Sequence, residues 1–131
     1  MAEGERAAAA DQLLGEIRAV SGAGYPRGET PSFAEGYAKD YYQFGAEVAG
    51  SYACAWLEEF QNAKSHDQAG LASEAARVLG TAREWPILKK MNADGGYSEV
   101  LWQLADEAVA GKVPDWYREG LGCTSGTPTP R

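Results

Sequence analysis

The sequence predicts an all-α fold: a small helical bundle around one long central helix, at about 32–64, followed by short C-terminal helices. Three observations predict it. Apolar residues recur at three- and four-residue spacing, and no alternating run is long enough to make a strand. The periodic segments are separated by stretches rich in Gly, Pro, Asn and Asp, at 21–31, 84–86 and 92–96. A chain of 131 residues, 44% hydrophobic and holding four tryptophans, can bury a core without a metal or many disulfides.

Each element has a local cause. A first helix covers Glu3 to Val20, with Leu13, Ile17 and Val20 on one face, Leu14 beside them and a run of four alanines of high helix propensity. The Gly/Pro-rich linker 21–31 separates it from the rest, so 1–20 is an N-terminal helix or arm and 32–123 is the helical domain. The central helix starts at Ser32, which stands three residues before Glu35 in the spacing of a capping box, and ends near Lys64. Gly45 and Gly50 weaken it by roughly 1 kcal/mol each, so a bend is allowed there. Ser65 and Gln68 repeat the capping spacing and open a third helix that reaches about Arg83, with Leu71, Ala75, Val78 and Ala82 along one side and Leu79 on the flank. Trp85 ends it, because the residue before a proline avoids the α region, and Pro86 opens a short helix through Met91. Residues 92–96 turn the chain. A helix from Tyr97 to Ala110 carries Leu101, Leu104 and Ala108 and stops at Gly111. Residues 114–120 make a last short helical turn, and the tail 124–131 is disordered.

On a wheel of the central helix, Tyr37, Tyr41, Phe44, Val48, Tyr52, Ala55, Trp56 and Phe60 share one broad apolar sector. Gly45, Ala49 and Ala53 lie in or beside it and leave room for a neighbouring helix. Cys54, one of two cysteines, lies outside this sector, near the middle of the polar face beside Gly50, Ser51, Leu57 and Glu58. A cysteine is usually buried, so something covers it. The C-terminal segment fits that role: Trp116, Tyr117 and Leu121 need a surface to lie on, and they precede Cys123. A Cys54–Cys123 disulfide is therefore expected, holding that segment across the outer face of the helix. In the chain-entropy model such a bridge is worth at most roughly 4 kcal/mol.

Stable disulfides belong to oxidising compartments, so the bridge places the domain outside the cytoplasm or at the cell surface; reduced thiols would place it in the cytoplasm. Residues 1–12 lack the basic head and apolar core of a signal peptide. The chain is thus cytosolic, or a piece of a longer anchored or secreted precursor. No apolar run approaches the ~20 residues that span a bilayer, so direct membrane insertion is not expected.

Nineteen acidic and twelve basic residues give a formal charge of −7, and Lys89–Lys90 is the only adjacent basic pair. Nucleic-acid binding needs a basic stripe, so that class is excluded, and anionic membrane surfaces are disfavoured for the same reason.

The residue types that carry catalysis do not converge. Cys54 has neither a neighbouring cation nor a helix N-terminus to stabilise a thiolate, and Glu47 and Glu58 oppose one. Ser65-His66-Asp67 contains triad residue types, but consecutive helical side chains point about 100° apart. One histidine and two distant cysteines do not supply the three or four ligands of a transition-metal site. Residues 92–99 depart from the calcium-loop pattern, and 21–24 follow a helix and lack the lysine of a phosphate loop. The adjacent carboxylates Glu58–Glu59 and Asp106–Glu107 diverge on their helices. No cofactor and no metal are expected.

What remains is surface. Trp85 and Tyr97 flank the Pro86 helix and the 92–96 turn, and Trp102 lies toward the polar edge of its helix. Together they are a candidate interaction surface of the aromatic kind that dominates binding energy; the competing reading is that they fill gaps between short helices. The expected function is a non-enzymatic protein-interaction domain, the extracytoplasmic part of an anchored or secreted protein, with a protein partner. Two other readings stay open. One is an acidic inhibitor or immunity-type protein, steered by charge to a basic partner. The other is an enzyme whose carboxylates the fold assembles, which requires a concave pocket holding two acids of raised pKa. Oligomeric state is open, since the N-terminal helix could also pair between chains.

Overall fold

Asp40 starts the central helix. Its backbone is extended, with φ −141° and ψ 175°, and its carboxylate accepts the backbone N–H of Gln43 at 2.8 Å. In the computed structural model, which describes residues 3–28, 31–33, 40–121 and 123, that helix, α2, covers Tyr41–Ser65 without interruption. The expected start at Ser32 is corrected by this cap. Residues 31–33 are not helical, and Glu35 and Tyr37 lie outside the described residues, as does the tail 124–131. Aspartate is among the strongest caps, and its charge complements the helix N-terminus.

Before α2 comes α1, Glu3–Ser21, which buries Ala10, Leu13 and Ile17 and packs on the bundle. The linker after it is tied down. Tyr52 Oη donates to Ala23 O at 2.7 Å, Trp56 Nε1 donates to Gly24 O at 3.1 Å, and the hydroxyls of Tyr25 and Ser51 meet at 2.8 Å. A short 3-10 turn comes next, at Pro26–Gly28.

After α2 come α3 (Ala69–Leu79), a 3-10 turn (Ala82–Glu84), α4 (Pro86–Met91), α5 (Tyr97–Val109) and α6 (Tyr117–Leu121). There is no strand among the described residues, and the other helices pack around α2. Nor is any helix among them long and apolar enough to cross a membrane.

Two boundaries near α3 differ from the sequence pattern. Ser65 Oγ donates to Asn62 O at 3.1 Å within α2 instead of capping α3, and Gln68 stands at the N-cap with no side-chain bond. The connection turns at Asp67, φ 55°, a left-handed position that aspartate tolerates. At the other end Gly80 caps α3, so the helix stops short of Arg83. Its buried arc is Ala72, Ala75, Val78 and Leu79, which leaves Leu71 at the edge, in the first turn, exposed. Tyr41 is likewise exposed, at the first turn of α2, with the Lys90 ammonium 5.3 Å from its ring centre.

The later boundaries match the local signals. Trp85 is extended, φ −70° and ψ 121°, as the residue before Pro86. Gly111, φ 99°, ends α5 in a Schellman motif, with Gly111 N–H bonded to Ala108 O and Lys112 N–H to Glu107 O, both at 2.9 Å. Gly45 is where α4 meets α2: a Cβ there would stand 2.8 Å from Met91 Sδ and 2.9 Å from Ile87 Cδ1.

Candidate functional site

Beyond Gly111 the chain crosses back over the polar side of α2. Val113 is buried, Tyr117 N–H bonds to Pro114 O at 3.2 Å, and α6 then lies against both α2 and α5. Three residues on successive turns of α2 receive it. Gly50 has no side chain because the Tyr97 hydroxyl occupies the place of a Cβ and Leu121 O would lie 3.4 Å from one. Cys54 meets Cys123 at disulfide distance, Cα to Cα 5.8 Å. Glu58 pairs with Arg118 at 2.7 Å. From the α5 side, Tyr97 Oη donates to Leu121 O at 3.2 Å, and Cys123 N–H closes the segment on Arg118 O at 2.7 Å.

Cys54 is thus only 3% exposed and Cys123 4%. The cover expected for a cysteine on the polar face is the C-terminal segment. It is a narrow strap, anchored among the described residues by the cysteine pair, the Glu58–Arg118 ion pair, the Tyr97–Leu121 hydrogen bond and the buried side chains of Val113, Tyr117 and Leu121.

Of the three residues expected to make an interaction surface, burial removes Trp85, and Tyr97 and Trp102 keep only part of their surface exposed. Trp85 is wholly buried: Nε1 donates to Thr81 Oγ1 at 2.9 Å and its ring meets Tyr52 edge-on at 5.2 Å. Tyr97 is partly buried, its N–H given to Tyr42 Oη at 3.1 Å and its hydroxyl to the strap. Trp102 is partly buried, with Nε1 on Ala82 O at 3.0 Å. The Arg83 guanidinium lies 5.3 Å from its ring centre and is held by Asp106 at 2.7 Å. The physical reason is that α4 and the 3-10 turn are short elements packed on α5, and large side chains fill the gaps between them.

The most exposed tryptophan among the described residues is Trp116, 43% exposed, just before α6. Its ring lies against Gly120, where a Cβ would come within 2.7 Å of Cζ3, and Val100 of α5 is adjacent. The signal in the sequence was the glycine four residues after a tryptophan, which leaves the ring room to lie flat.

Burial shapes the titration of four phenols. Desolvation raises Tyr25, Tyr52, Tyr97 and Tyr117 above the ordinary value; the hydrogen bond with Ser51 offsets part of the rise at Tyr25, and that with Ser21 part of the rise at Tyr52. In the unfolded chain a phenol ionises near pH 10. Above that pH the folded state keeps protons that the unfolded chain has lost, so stability is intact below about pH 10 and falls as pH rises beyond it. An alkaline titration followed by ultraviolet absorbance and circular dichroism should show part of the tyrosine signal delayed until the helices melt. Ionisation of these four near pH 10 with helices intact would contradict the packing.

Among the described residues no three His, Cys, Asp or Glu side chains converge as a metal site would require. His66 is exposed at the end of α2 with Nδ1 2.9 Å from Asn62 O, and Ser65 Oγ also bonds that carbonyl. Together with Asp67 in its left-handed turn, these residues terminate a helix. No protein-family model, curated protein or solved structure matches this chain.

Proposed function

We propose that this chain is a non-enzymatic protein-interaction domain that works outside the cytoplasm and meets its partner on the outer side of the C-terminal strap. The observation that carries the reading is Trp116, half-exposed on a segment pinned to the central helix through Cys54 and Cys123. An aromatic ring presented by a constrained segment gives contact area at little entropic cost, which is the character of a binding hot spot. The cysteine pair supports the compartment, since such bridges persist where thiols are oxidised. The charge of −7 favours a partner whose matching face is basic, with association slowed by salt.

The test places a photo-crosslinking residue at position 116 and, as a control, at the exposed Leu71, in the cells that make the protein. Adducts from 116 and none from 71 are expected; equal adducts from both, or none, would end the reading. A thiol count after trapping and denaturation addresses the compartment. No free thiol before reduction and two after are expected, whereas two free thiols from the start would return the chain to the cytoplasm.

A further inference from the structure

The strap joins the core only at its edge: Val113, Tyr117, Leu121 and Cys123 are buried, but each keeps 4–6% of its surface exposed. Among the described residues the largest fully buried side chains, including Phe44, Tyr52, Trp85, Leu88, Leu101 and Leu104, come from α1 to α5 and the turn before α4, and none of these lies beyond Gly111. The Schellman motif at Gly111 closes α5 by itself, so α5 keeps its own end whether or not the strap is docked. At five residues, α6 is far too short to hold helical structure alone. Its ion pair, Glu58–Arg118, stands in water, 33% and 47% exposed, and is screened by salt. Among the described residues the remaining attachments are the Tyr97–Leu121 hydrogen bond, the buried side chains of Val113, Tyr117 and Leu121, and the cysteine pair.

We infer that the strap is a redox-released element: reduction of the Cys54–Cys123 bridge frees α6 and Cys123 from α2 while α1 to α5 stay folded. The reductant is a dithiol. Its thiolate attacks one sulfur of the bridge and expels the other cysteine as a thiolate, giving a mixed disulfide. Its second thiol then displaces the remaining cysteine. Two electrons and two protons end on Cys54 and Cys123, and the reductant leaves as a disulfide. Both cysteines are buried, so attack waits for the strap to fray, and the reduction rate follows strap opening. Release also withdraws Trp116 from its fixed position. That consequence for binding rests on the proposed interaction surface; the release itself does not.

Hydrogen exchange on the full chain, oxidised and then reduced by a dithiol, reads the release directly. The amides of 117–121 should fall to within about tenfold of the unfolded-chain rate. Amides of α2 and α5 should keep their protection. Unchanged protection in 117–121 would overturn the inference. So would loss of protection throughout the chain, which would make the bridge a staple of the whole fold. Gly50→Ala supplies a second measurement, because a Cβ there takes the place of the Tyr97 hydroxyl and loosens the seat of Leu121. In the oxidised variant the bridge should be reduced roughly tenfold faster, the loss of about one hydrogen bond; an unchanged rate would also overturn the inference. Strap release without crosslinking at 116 would remove only the partner reading, and crosslinking without release would remove only the switch.

Discussion

Trp85→Ala is expected to lower stability by about 3–5 kcal/mol, enough to consume much of what a domain this size has. The side chain has no exposed surface, and it contacts both α2 and the turn before α4. Its ring meets Tyr52 of α2 at 5.2 Å, Tyr52 meets Tyr25 of the linker at 5.4 Å, and Nε1 reaches back to Thr81 at 2.9 Å. Truncation leaves a cavity in a close-packed core that the surrounding helices only partly collapse to fill. Trp85→Phe should cost less: the edge-on contact survives in part, and Thr81 Oγ1 keeps its own bond to Val78 O at 2.6 Å. Urea unfolding followed by circular dichroism measures both. A loss below about 1 kcal/mol for the alanine variant, the range of surface substitutions, would restore Trp85 as a surface residue.

Glu47→Gln is expected to cost about 1–3 kcal/mol, and Arg6→Met clearly less. Arg6 is 3% exposed. Its Nη2 donates to both carboxylate oxygens of Glu47, at 2.9 and 2.8 Å, its Nε donates to Phe33 O at 3.0 Å, and its guanidinium lies 4.8 Å from the centre of the Phe44 ring. Nη1 is buried with no partner among the described residues. Removing the carboxylate strands a buried cation. Removing the cation takes its desolvation cost and the orphaned nitrogen with it, while a methionine keeps an apolar stem over Phe44 and Glu47, partly exposed, rehydrates. A double-mutant cycle on denaturation midpoints measures the asymmetry. Arg6→Met costing as much as Glu47→Gln would show that the contact to Phe33 and the packing, not the charge, hold α1 in place.

Much of the architecture was legible in the chain because its causes are local. A period near 3.6 with no alternating run specifies helices. Pro86 and Gly111 set boundaries through sterics and left-handed backbone, which act on one or two residues whatever surrounds them. The position of Cys54 outside the apolar sector was equally local, since it comes from helical geometry alone, and it already required a cover.

Other features depended on which surfaces meet. Ser32 and Asp40 both have cap chemistry, and the observed start of α2 is at Asp40. Leu71 and Leu79 sit near each other on the α3 wheel, and docking on α2 buries only Leu79. Arg6, in an alanine-rich helix, has the pattern of a solvated residue until Glu47 and Phe44 close over it. The exchange of roles between Trp85 and Trp116 has the same origin: both flank short helices, and one falls between α2 and α4 while the other lies on the strap's outer side. Periodicity and capping are properties of one segment, and the sequence determined those. Which arc of a helix is covered is a property of two segments at once, so the exposed and buried aromatics, and with them the candidate site, were decided only by the tertiary structure.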